Sequence, residues 1–482
     1  MDSTMSPHAP PGRPPHTRWN PRLVGQIAAL LLANVTADSV IVMPLFVLPQ
    51  MLDHFGTTQA AWLGSTAMLA GAMWAPLFGK SADIHGKRRM LTVALLVACG
   101  GAAVCLIAPN LLIFVLGRTL QGAAVAAVFL TGSLVRDLCT PRLAMTAVGA
   151  VTTCAGVVGI ASTSNVESLV AQFGFQVVFA ASALFATVAV ICIRAFVPES
   201  EVRTPGRVDV VGTLQLGGGV VAVLGYISLG PDLGWLSAGT LALLAAGVVA
   251  LARWYLVSNR NPEPVIDIRN LGRPMVLTLL VVVLATGAGQ SMDQLLSLIA
   301  QVSSDQGLGY GLDAQGSLAL LFGLPAVGIM AGGLLSGWLA ARTDPAVALA
   351  AGVVVGTVAA FGMFLGASSL PVAICSGFFL NLGMGSLLTS GFNMAAVLTA
   401  PHRQGVTASM VAVTGAIGSV GVSFVGAAVL AGTRVAVDGT TVNSATGVHS
   451  YIAISAGLFV IAAVLAFLLL AQRRAERPQR TD

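Results

Sequence analysis

Two aspartates lie inside long apolar segments of this sequence, where a carboxyl group is costly. Asp38 belongs to the segment 22–48, and Asp293 belongs to the segment 275–302. A helix needs about 20 mainly apolar residues to cross a bilayer. A charge at the bilayer centre costs about 2.5–3.5 kcal/mol on insertion scales, so it persists only where it faces water or a partner. We therefore expect both carboxyl groups to take part in binding a cation or a proton.

A third intramembrane charge, Arg118, lies in the apolar segment 111–135. At the helical rise, Arg118 lies about 10 Å and Asp38 about 15 Å from the outer ends of their segments. These depths allow a buried ion pair or a shared water network. Because arginine stays protonated in proteins, Arg118 is expected to hold a carboxylate or to tune its protonation. A structural salt bridge that never titrates is the alternative interpretation.

The composition is that of a membrane protein with many helices. Of the 482 residues, 56% are hydrophobic and 9% are charged, whereas soluble domains contain about 25% charged residues. The mean hydropathy is +0.87. The net charge of +5 is explained by topology, so we expect no nucleic-acid partner. The six cysteines form no CxxC pair and are expected to be free thiols.

Fourteen apolar segments predict an all-α polytopic membrane protein with fourteen transmembrane helices. The segments are 22–48, 61–79, 90–108, 111–135, 143–166, 175–196, 210–230, 236–257, 275–302, 314–341, 345–366, 370–398, 405–432 and 450–471. With the N-terminus in the cytoplasm, 22 of the 24 lysines and arginines fall on that side, while Arg118 lies within a helix and Arg434 outside. Because cytoplasmic loops are enriched in Lys and Arg, both termini are predicted to be cytoplasmic.

This count divides the chain into two groups of six helices separated by an insertion. The expected parts are a cytoplasmic tail at 1–21, an N-terminal six-helix bundle at 22–196, two inserted helices with linkers at 197–274, a C-terminal six-helix bundle at 275–471 and a second cytoplasmic tail at 472–482. The connections are short, so we expect no sizeable soluble domain.

The loop after the second predicted helix carries a motif of alternating small and charged residues. It contains Gly79, Asp83, Gly86, Lys87 and Arg88. The two glycines allow a tight turn, and the carboxylate can meet a helix N-terminus or a guanidinium across an interface between helices. The loop resembles motif A of the major facilitator superfamily, G-x-L-A-D-R-x-G-R-K. That resemblance implies a latch that holds the outward-open state; a basic loop that only sets topology is the alternative.

The fourth predicted helix carries Arg118, Gln121 and Gly122, and resembles motif B of the same superfamily, R-A-x-Q-G-x-G-A. The fifth predicted helix matches the superfamily's antiporter motif, motif C, poorly. The best alignment uses Ala155, Gly159, Ile160, Thr163 and Ser164, with one glycine of the core and no proline. The resemblance to the superfamily therefore implies its fold more firmly than it implies exchange of a substrate for protons.

The inserted pair 210–230 and 236–257, followed by 264–269, resembles the fourteen-helix drug:proton antiporter group of the superfamily. The two six-helix halves of such a fold are parallel repeats, which places Asp38 and Asp293 at matching depths facing one central cavity. Four neutral side chains are candidates for further polar contacts in that cavity, although interhelical hydrogen bonds explain them equally well. They are Asn34, Gln290, Asn381 and Asn393.

The resemblance implies a secondary transporter that exports amphipathic or cationic drugs in exchange for protons, by alternating access. The proton gradient would supply the energy, without a cofactor, for a monomer in a bacterial cytoplasmic (inner) membrane. A proton-coupled importer of a metabolite on the same fold is the alternative. A membrane-embedded enzyme has little support, because the six histidines are scattered and no HExxH motif occurs. We assign no catalytic and no metal-binding residue.

Overall fold

The computed structural model describes most of the chain, namely residues 15–56, 60–153, 169–170, 172–200, 209–260, 271–299, 310–311, 323–400, 403–437 and 440–476. Within these ranges the elements are helical apart from one short antiparallel pair of strands. The expected all-α architecture is therefore confirmed.

In the described residues of its first half, the chain forms a succession of helices with one 3-10 turn. In chain order they are α1 (Pro21–Phe46), α2 (Leu48–Phe55), α3 (Ala60–His85), α4 (Lys87–Leu106), α5 (Leu111–Gln121), the 3-10 turn (Gly122–Val125), α6 (Ala126–Leu138), α7 (Pro141–Thr152) and α8 (Gln176–Phe196).

The insertion and the second half follow. They are α9 (Val210–Leu233), α10 (Ala238–Ser258), α11 (Arg273–Ile299), α12 (Leu324–Arg342), α13 (Pro345–Gly366), α14 (Leu370–Val397), α15 (Gln404–Gly432), β1 (Arg434–Val437), β2 (Thr440–Asn443) and α16 (Ala445–Glu476).

Polar side chains cap several helices just before their apolar runs begin. The Asn20 side chain accepts a hydrogen bond from the Leu23 N–H at 2.8 Å. Asn110 accepts one from the Ile113 N–H at 3.0 Å. Such caps satisfy N–H groups that have no partner within the helix, and they fix where α1 and α5 begin.

Twelve helices in the described part of the chain are long and apolar enough to cross a membrane. They coincide with twelve of the fourteen predicted segments. Of the other two, 61–79 lies within α3, and 143–166 begins in α7 and then continues outside the described residues. The multi-pass architecture is thus confirmed, and the count of fourteen stays a prediction.

The predicted helix 111–135 is interrupted by the 3-10 turn at its centre. A Cβ at Gly122 would lie 2.6 Å from the carbonyl oxygen of Ala67 and 2.8 Å from the amide nitrogen of Gly71. Only glycine permits this approach of the backbones. The turn therefore marks the place where α3 crosses the fourth predicted helix.

The helices form two groups, and the buried cluster of the first group extends into the second through Met275, Phe392 and Val411. In the first group α1 packs on α6 and α8, and α4 packs on α5 and α8; in the second group α14 packs on α12 and α13, and α11 packs on α15 and α16. We call these groups the N-terminal and C-terminal bundles. They meet through α3 against α15 and α7 against α12.

The inserted helices α9 and α10 pack on each other, and α9 also packs on α3 and α15. A Cβ at Gly217 would lie 2.6 Å from the Cα of Met73, so the backbones of α9 and α3 are close. The inserted pair therefore lies against the place where the two bundles meet.

Five cysteines lie within the described residues, and all five are free thiols, as expected. They are Cys99, Cys105, Cys139, Cys192 and Cys375. Cys154 lies outside the described residues.

Candidate functional site

Asp293 and Asn381 bind each other between α11 and α14. Asn381 donates a hydrogen bond from Nδ2 to Asp293 Oδ1 at 3.0 Å, and the same nitrogen donates to the Gly377 carbonyl at 3.0 Å. Asn381 is buried and Asp293 is half-buried. Two residues singled out in the sequence are thus in direct contact, and the carboxyl group keeps part of its surface accessible.

Asp38 is also half-buried, on α1. Within the described part of the chain, no hydrogen-bond donor or cation lies within bonding distance of its carboxyl group. One turn earlier, Asn34 donates to Thr131 Oγ1 at 2.8 Å and to the Val151 carbonyl at 3.1 Å. Asn34 therefore ties α1 to α6 and α7, while Asp38 is left available to an external partner.

Arg118 is fully buried and binds the backbone of α1, not the carboxyl group of Asp38. Its Nη1 donates to the Val40 carbonyl at 2.8 Å and to Gln121 Oε1 at 2.9 Å. Residue 44, which would normally donate to the Val40 carbonyl, is a proline without an N–H. The ion pair with Asp38 that the sequence allowed is therefore not formed in this structure, because the guanidinium satisfies the carbonyl freed by Pro44.

Asp83 joins the two bundles. Its carboxyl oxygens accept hydrogen bonds from the N–H groups of Gly405 at 3.0 Å and Val406 at 3.1 Å, in the first turn of α15. A Cβ at Gly79 would lie 2.8 Å from Ser409 Oγ. The carboxylate thus meets a helix N-terminus, where the N–H groups and the helix dipole favour a negative charge.

Gly86 and Arg88 belong to the N-terminal bundle. Gly86 has φ +102°, a conformation that favours glycine, and a Cβ there would lie 2.8 Å from Glu199 Oε1. Glu199 accepts hydrogen bonds from the N–H groups of Arg88 at 2.9 Å and Arg89 at 3.1 Å. Glu199 therefore caps the N-terminus of α4.

Lys87 is fully buried and bridges to the end of α6. Its Nζ lies 2.8 Å from Asp137 Oδ1, and Ser200 Oγ donates to Asp137 Oδ2 at 2.7 Å. Asp137, Glu199 and Ser200 were not predicted from the sequence. The signal that could have found them is the presence of two acids at helix ends on the side that carries the basic loop.

Arg136 makes a second connection between the bundles. Its Nη2 donates to the Phe392 carbonyl at 2.7 Å and to Asn393 Oδ1 at 3.0 Å on α14. Nearby, the hydroxyl groups of Thr152 and Thr389 share a hydrogen bond of 3.2 Å. Asn393 therefore lies in the contact between the bundles, near the predicted cytoplasmic end. Arg136 was missed because its place at a helix end was interpreted only as a topological charge.

The remaining candidates lie on several helices. Gln121 and Gly122 are buried, and Gln290 is exposed on α11. The motif C positions Ala155, Gly159, Ile160, Thr163 and Ser164 lie outside the described residues. Among the residues that the structure describes, no three His, Cys, Asp or Glu side chains form a group that could hold a metal ion.

The amino-acid sequence of this chain is similar to those of several proteins named as transporters or efflux pumps. It is 28% identical over 259 residues to the efflux pump dotC of Dothistroma septosporum, and the match covers 51% of this chain and 43% of that protein. It is 26% identical to the multidrug resistance protein B homolog of Mycobacterium tuberculosis (strain ATCC 25618 / H37Rv), over 86% of this chain and 78% of that protein. The chain thus spans about two fifths of the length of dotC.

This chain is also similar to a uridine/deoxyuridine transporter and to a transporter of known structure. The chain is 27% identical to the uridine/deoxyuridine transporter of Lactococcus lactis subsp. cremoris (strain MG1363), over 66% of this chain and 69% of that protein. The crystal structure of the human organic anion transporter MFSD10 (TETRAN) superposes with a TM-score of 0.67 at 15% identity, covering 93% of this chain and 100% of that one. This likeness supports the fold.

The sequence profile of the Major Facilitator Superfamily matches residues 28–423. That range begins in α1, contains the inserted helices and ends in α15. It includes both aspartates and every residue that joins the bundles through Asp83 and Arg136. The chain therefore belongs to the major facilitator superfamily of membrane transporters.

Proposed function

We propose that this protein is a proton-coupled secondary exporter of amphipathic or cationic small molecules. The observation that carries the proposal is the pair Asp293–Asn381, a half-buried carboxyl group held at 3.0 Å by a neutral amide inside a membrane-spanning helix. A carboxyl group so placed can exchange a proton for a cation, because it is charged in one form and neutral in the other.

Asn381 orients this carboxyl group without neutralising it. The Nδ2 atom of an amide only donates, and it carries no charge. The negative charge of Asp293 is therefore available to a proton or to a cationic ligand, and the two compete for it. A carboxyl group paired with an arginine would lack this property, because the guanidinium would remain charged throughout.

Asp38 is the counterpart of Asp293 in the first half. Asp38 lies 17 residues after the start of α1 (38 − 21), and Asp293 lies 20 residues after the start of α11 (293 − 273). At the helical rise these positions differ in depth by about 5 Å, or one turn. Each bundle thus contributes one half-buried acid at a similar level, which suits a ligand bound between them.

The contacts between the bundles support alternating access. Asp83 and Arg136 hold the bundles together near the predicted cytoplasmic end, through α15 and α14 respectively. Opening towards that side requires both sets of hydrogen bonds to break. We assign Asp83 the role of a latch for the outward-open state, in agreement with the motif it belongs to.

We further propose fourteen membrane spans and membership of the drug:proton antiporter group. The twelve candidate spans would be completed by α3 and by the segment that begins in α7. The inserted helices α9 and α10 support this assignment, because they form a closely packed pair against α3 and α15. The protein would lie in a bacterial cytoplasmic membrane with both termini inside.

The relatives support export of drugs and keep a second candidate open. Two of them are named as an efflux pump and a multidrug resistance protein. The uridine/deoxyuridine transporter of Lactococcus lactis favours the second candidate, a proton-coupled importer of a metabolite such as a nucleoside. The incomplete motif C agrees with that second candidate as well.

The deciding experiment is transport by purified protein in proteoliposomes with an imposed pH gradient. We expect a fluorescent cationic dye to move against the proton gradient, and proton movement to depend on the dye. Asp293→Asn keeps the shape and the contact with Asn381 but removes the titratable group. Losing a charged contact of about 1.5–3 kcal/mol should slow transport by about ten- to 150-fold.

The matched control is Asp53→Asn, which neutralises an exposed acid on α2. It should leave transport unchanged. Wild-type rates in the Asp293→Asn protein would remove this residue from the mechanism. Accumulation of a nucleoside driven by an inward proton gradient, with no dye movement, would establish the second candidate instead.

A further inference from the structure

A cavity of about 420 Å³ lies between the bundles where α7 meets α12. Its lining consists of Arg142 and Thr146 from α7, and Trp338, Ala341 and Arg342 from α12. Arg142 follows the first residue of α7, and Arg342 is the last residue of α12. The cavity therefore lies at the predicted cytoplasmic end, and each bundle contributes one arginine to it.

The positive charges of the two arginines in this cavity are not balanced by a neighbouring acid in the described part of the chain. Arg142 and Arg342 are both exposed, and neither has an acidic partner within the described residues. As far as the structure describes the chain, the lining contains no Asp or Glu. Two guanidinium groups facing one space repel each other, and a planar fork of N–H donors suits a phosphate. An anion with several oxygen atoms would satisfy both arginines at once.

The surface beside the cavity is apolar and exposed. The guanidinium of Arg342 lies 4.0 Å from the centre of the Trp338 ring. Trp338 is 46% exposed, and on the same helix Leu335 is 56% and Leu334 is 40% exposed. Tryptophan is enriched at the level of lipid headgroups. Along α12, the exposed leucines thus suit the acyl chains of a lipid, Trp338 suits the headgroup level, and Arg342 suits the phosphate.

The cavity exists only while the two bundles are in contact beside it. A Cβ at Gly337 would lie 2.6 Å from the Met145 carbonyl oxygen, and a Cβ at Gly149 would collide with the Gly333 carbonyl. Separation of α7 from α12 would move the two arginines apart. A ligand that binds both arginines therefore favours the state in which this end of the protein is closed.

We propose that this cavity binds the phosphate headgroup of an anionic phospholipid, which holds the two bundles together at this end. A phospholipid headgroup and a soluble phosphate ester would both present a phosphate to this cavity. The lipid is favoured because the exposed apolar residues Leu335 and Trp338 lie on the same helix beside Arg342. The cavity itself supports lipid binding, whereas any effect of the lipid on transport rests on the proposed function.

The test measures lipid binding directly. Purified protein is placed in nanodiscs of phosphatidylcholine with or without phosphatidylglycerol, and retained lipids are counted by native mass spectrometry. The wild-type protein should retain phosphatidylglycerol in preference to phosphatidylcholine. Arg142→Gln and Arg342→Gln should each weaken this retention by about fivefold, since one basic residue near a membrane contributes about that factor.

Three controls keep the result decisive. Arg194→Gln removes an exposed arginine at the end of α8, outside the cavity, and should retain the lipid as the wild type does. Arg142→Lys keeps the charge and should bind more strongly than Arg142→Gln. Glycerol 3-phosphate at millimolar concentration is the soluble probe, and it should not displace the lipid.

The proposal is overturned if Arg142→Gln and Arg342→Gln retain phosphatidylglycerol as well as the Arg194→Gln protein does. It is also overturned if glycerol 3-phosphate binds and displaces the lipid, because the ligand would then be a soluble phosphate ester. These outcomes require no transport assay. A protein that binds the lipid at this site but moves no substrate would leave the binding established and refute the proposed function.

Discussion

Arg118 and Pro44 are linked through one backbone oxygen. Arg118 Nη1 lies 2.8 Å from the carbonyl oxygen of Val40, and that oxygen has no helical N–H donor because the residue four positions later is Pro44. A buried carbonyl without a donor is costly inside a membrane. The arginine therefore supplies the donor that the backbone of α1 lacks two residues after Asp38, and it forms no ion pair with that carboxyl group.

This link predicts a coupling between the two residues. Arg118→Met should destabilise the protein by about 1.5–3 kcal/mol, because it removes a charged hydrogen bond from a buried acceptor. In a Pro44→Ala background the same change should cost about 1 kcal/mol less, since the alanine would supply the missing N–H. Unfolding in detergent of the two single variants and the double variant gives the coupling. Strictly additive effects would contradict the assignment.

Asp83→Asn should weaken the contact between α3 and α15. The asparagine keeps the shape but removes the negative charge from the N-terminus of α15, a loss of about 1–2 kcal/mol for a partly buried helix end. The population closed at the predicted cytoplasmic end should fall, and distances between spin labels on the two bundles report it. Asp344→Asn is the matched control, because Asp344 caps α13 within one bundle. An unchanged distance distribution in Asp83→Asn would refute the latch.

Arg136→Gln and Asn393→Ala should both favour opening at the same end. Arg136 binds the Phe392 carbonyl and the Asn393 side chain across the interface, and hydrogen bonds to a charged group contribute about 1.5–3 kcal/mol. Arg136→Gln should have the larger effect because it affects both acceptors. Cysteine accessibility of α14 from the predicted cytoplasmic side measures the opening. Equal accessibility in the wild type and both variants would show that the contact carries no gating role.

Gly86→Ala and Gly100→Ala should change stability in opposite directions. Gly86 has φ +102°, and a Cβ there would lie 2.8 Å from Glu199 Oε1, so alanine should cost about 1–2 kcal/mol. Gly100 lies inside α4, and apart from its chain neighbours and the nearby backbone of α4 itself, no atom of the described residues lies within 4 Å of its Cβ position. Alanine there should stabilise by about 0.4–1 kcal/mol. Thermal unfolding compares the two, and equal effects would contradict the role of Gly86.

The helices could be predicted because a backbone in lipid must satisfy its own hydrogen bonds. Apolar length locates α13 well, predicted at 345–366 and found as Pro345–Gly366. It is less accurate where polar turns extend a helix, as in α16, predicted at 450–471 and found as Ala445–Glu476. The division of the segment 111–135 was missed, because the 3-10 turn depends on a crossing with α3 at Gly122. No local pattern encodes that crossing.

The sequence predicted the kind of group that a site residue binds only where the chemistry of that residue alone determines it. Asp83 suits any helix N-terminus, so the kind of partner could be predicted but α15 could not. Arg118 was expected to find a carboxylate and instead binds the Val40 carbonyl, a choice that depends on how α1 and α5 face each other. Arg136 and Asn393 are 257 positions apart in the chain, so their contact depends on the association of the two bundles.

The inserted helices α9 and α10 have a mechanical consequence. Since α9 touches both α3 and α15, it packs across the two helices that Asp83 connects by hydrogen bonds. If the two bundles move relative to each other as proposed, α9 must change its contact with α3 or with α15, and the close approach of Gly217 to Met73 favours keeping the contact with α3. The inserted pair would then influence the rate at which the proposed exporter changes conformation, without touching the substrate.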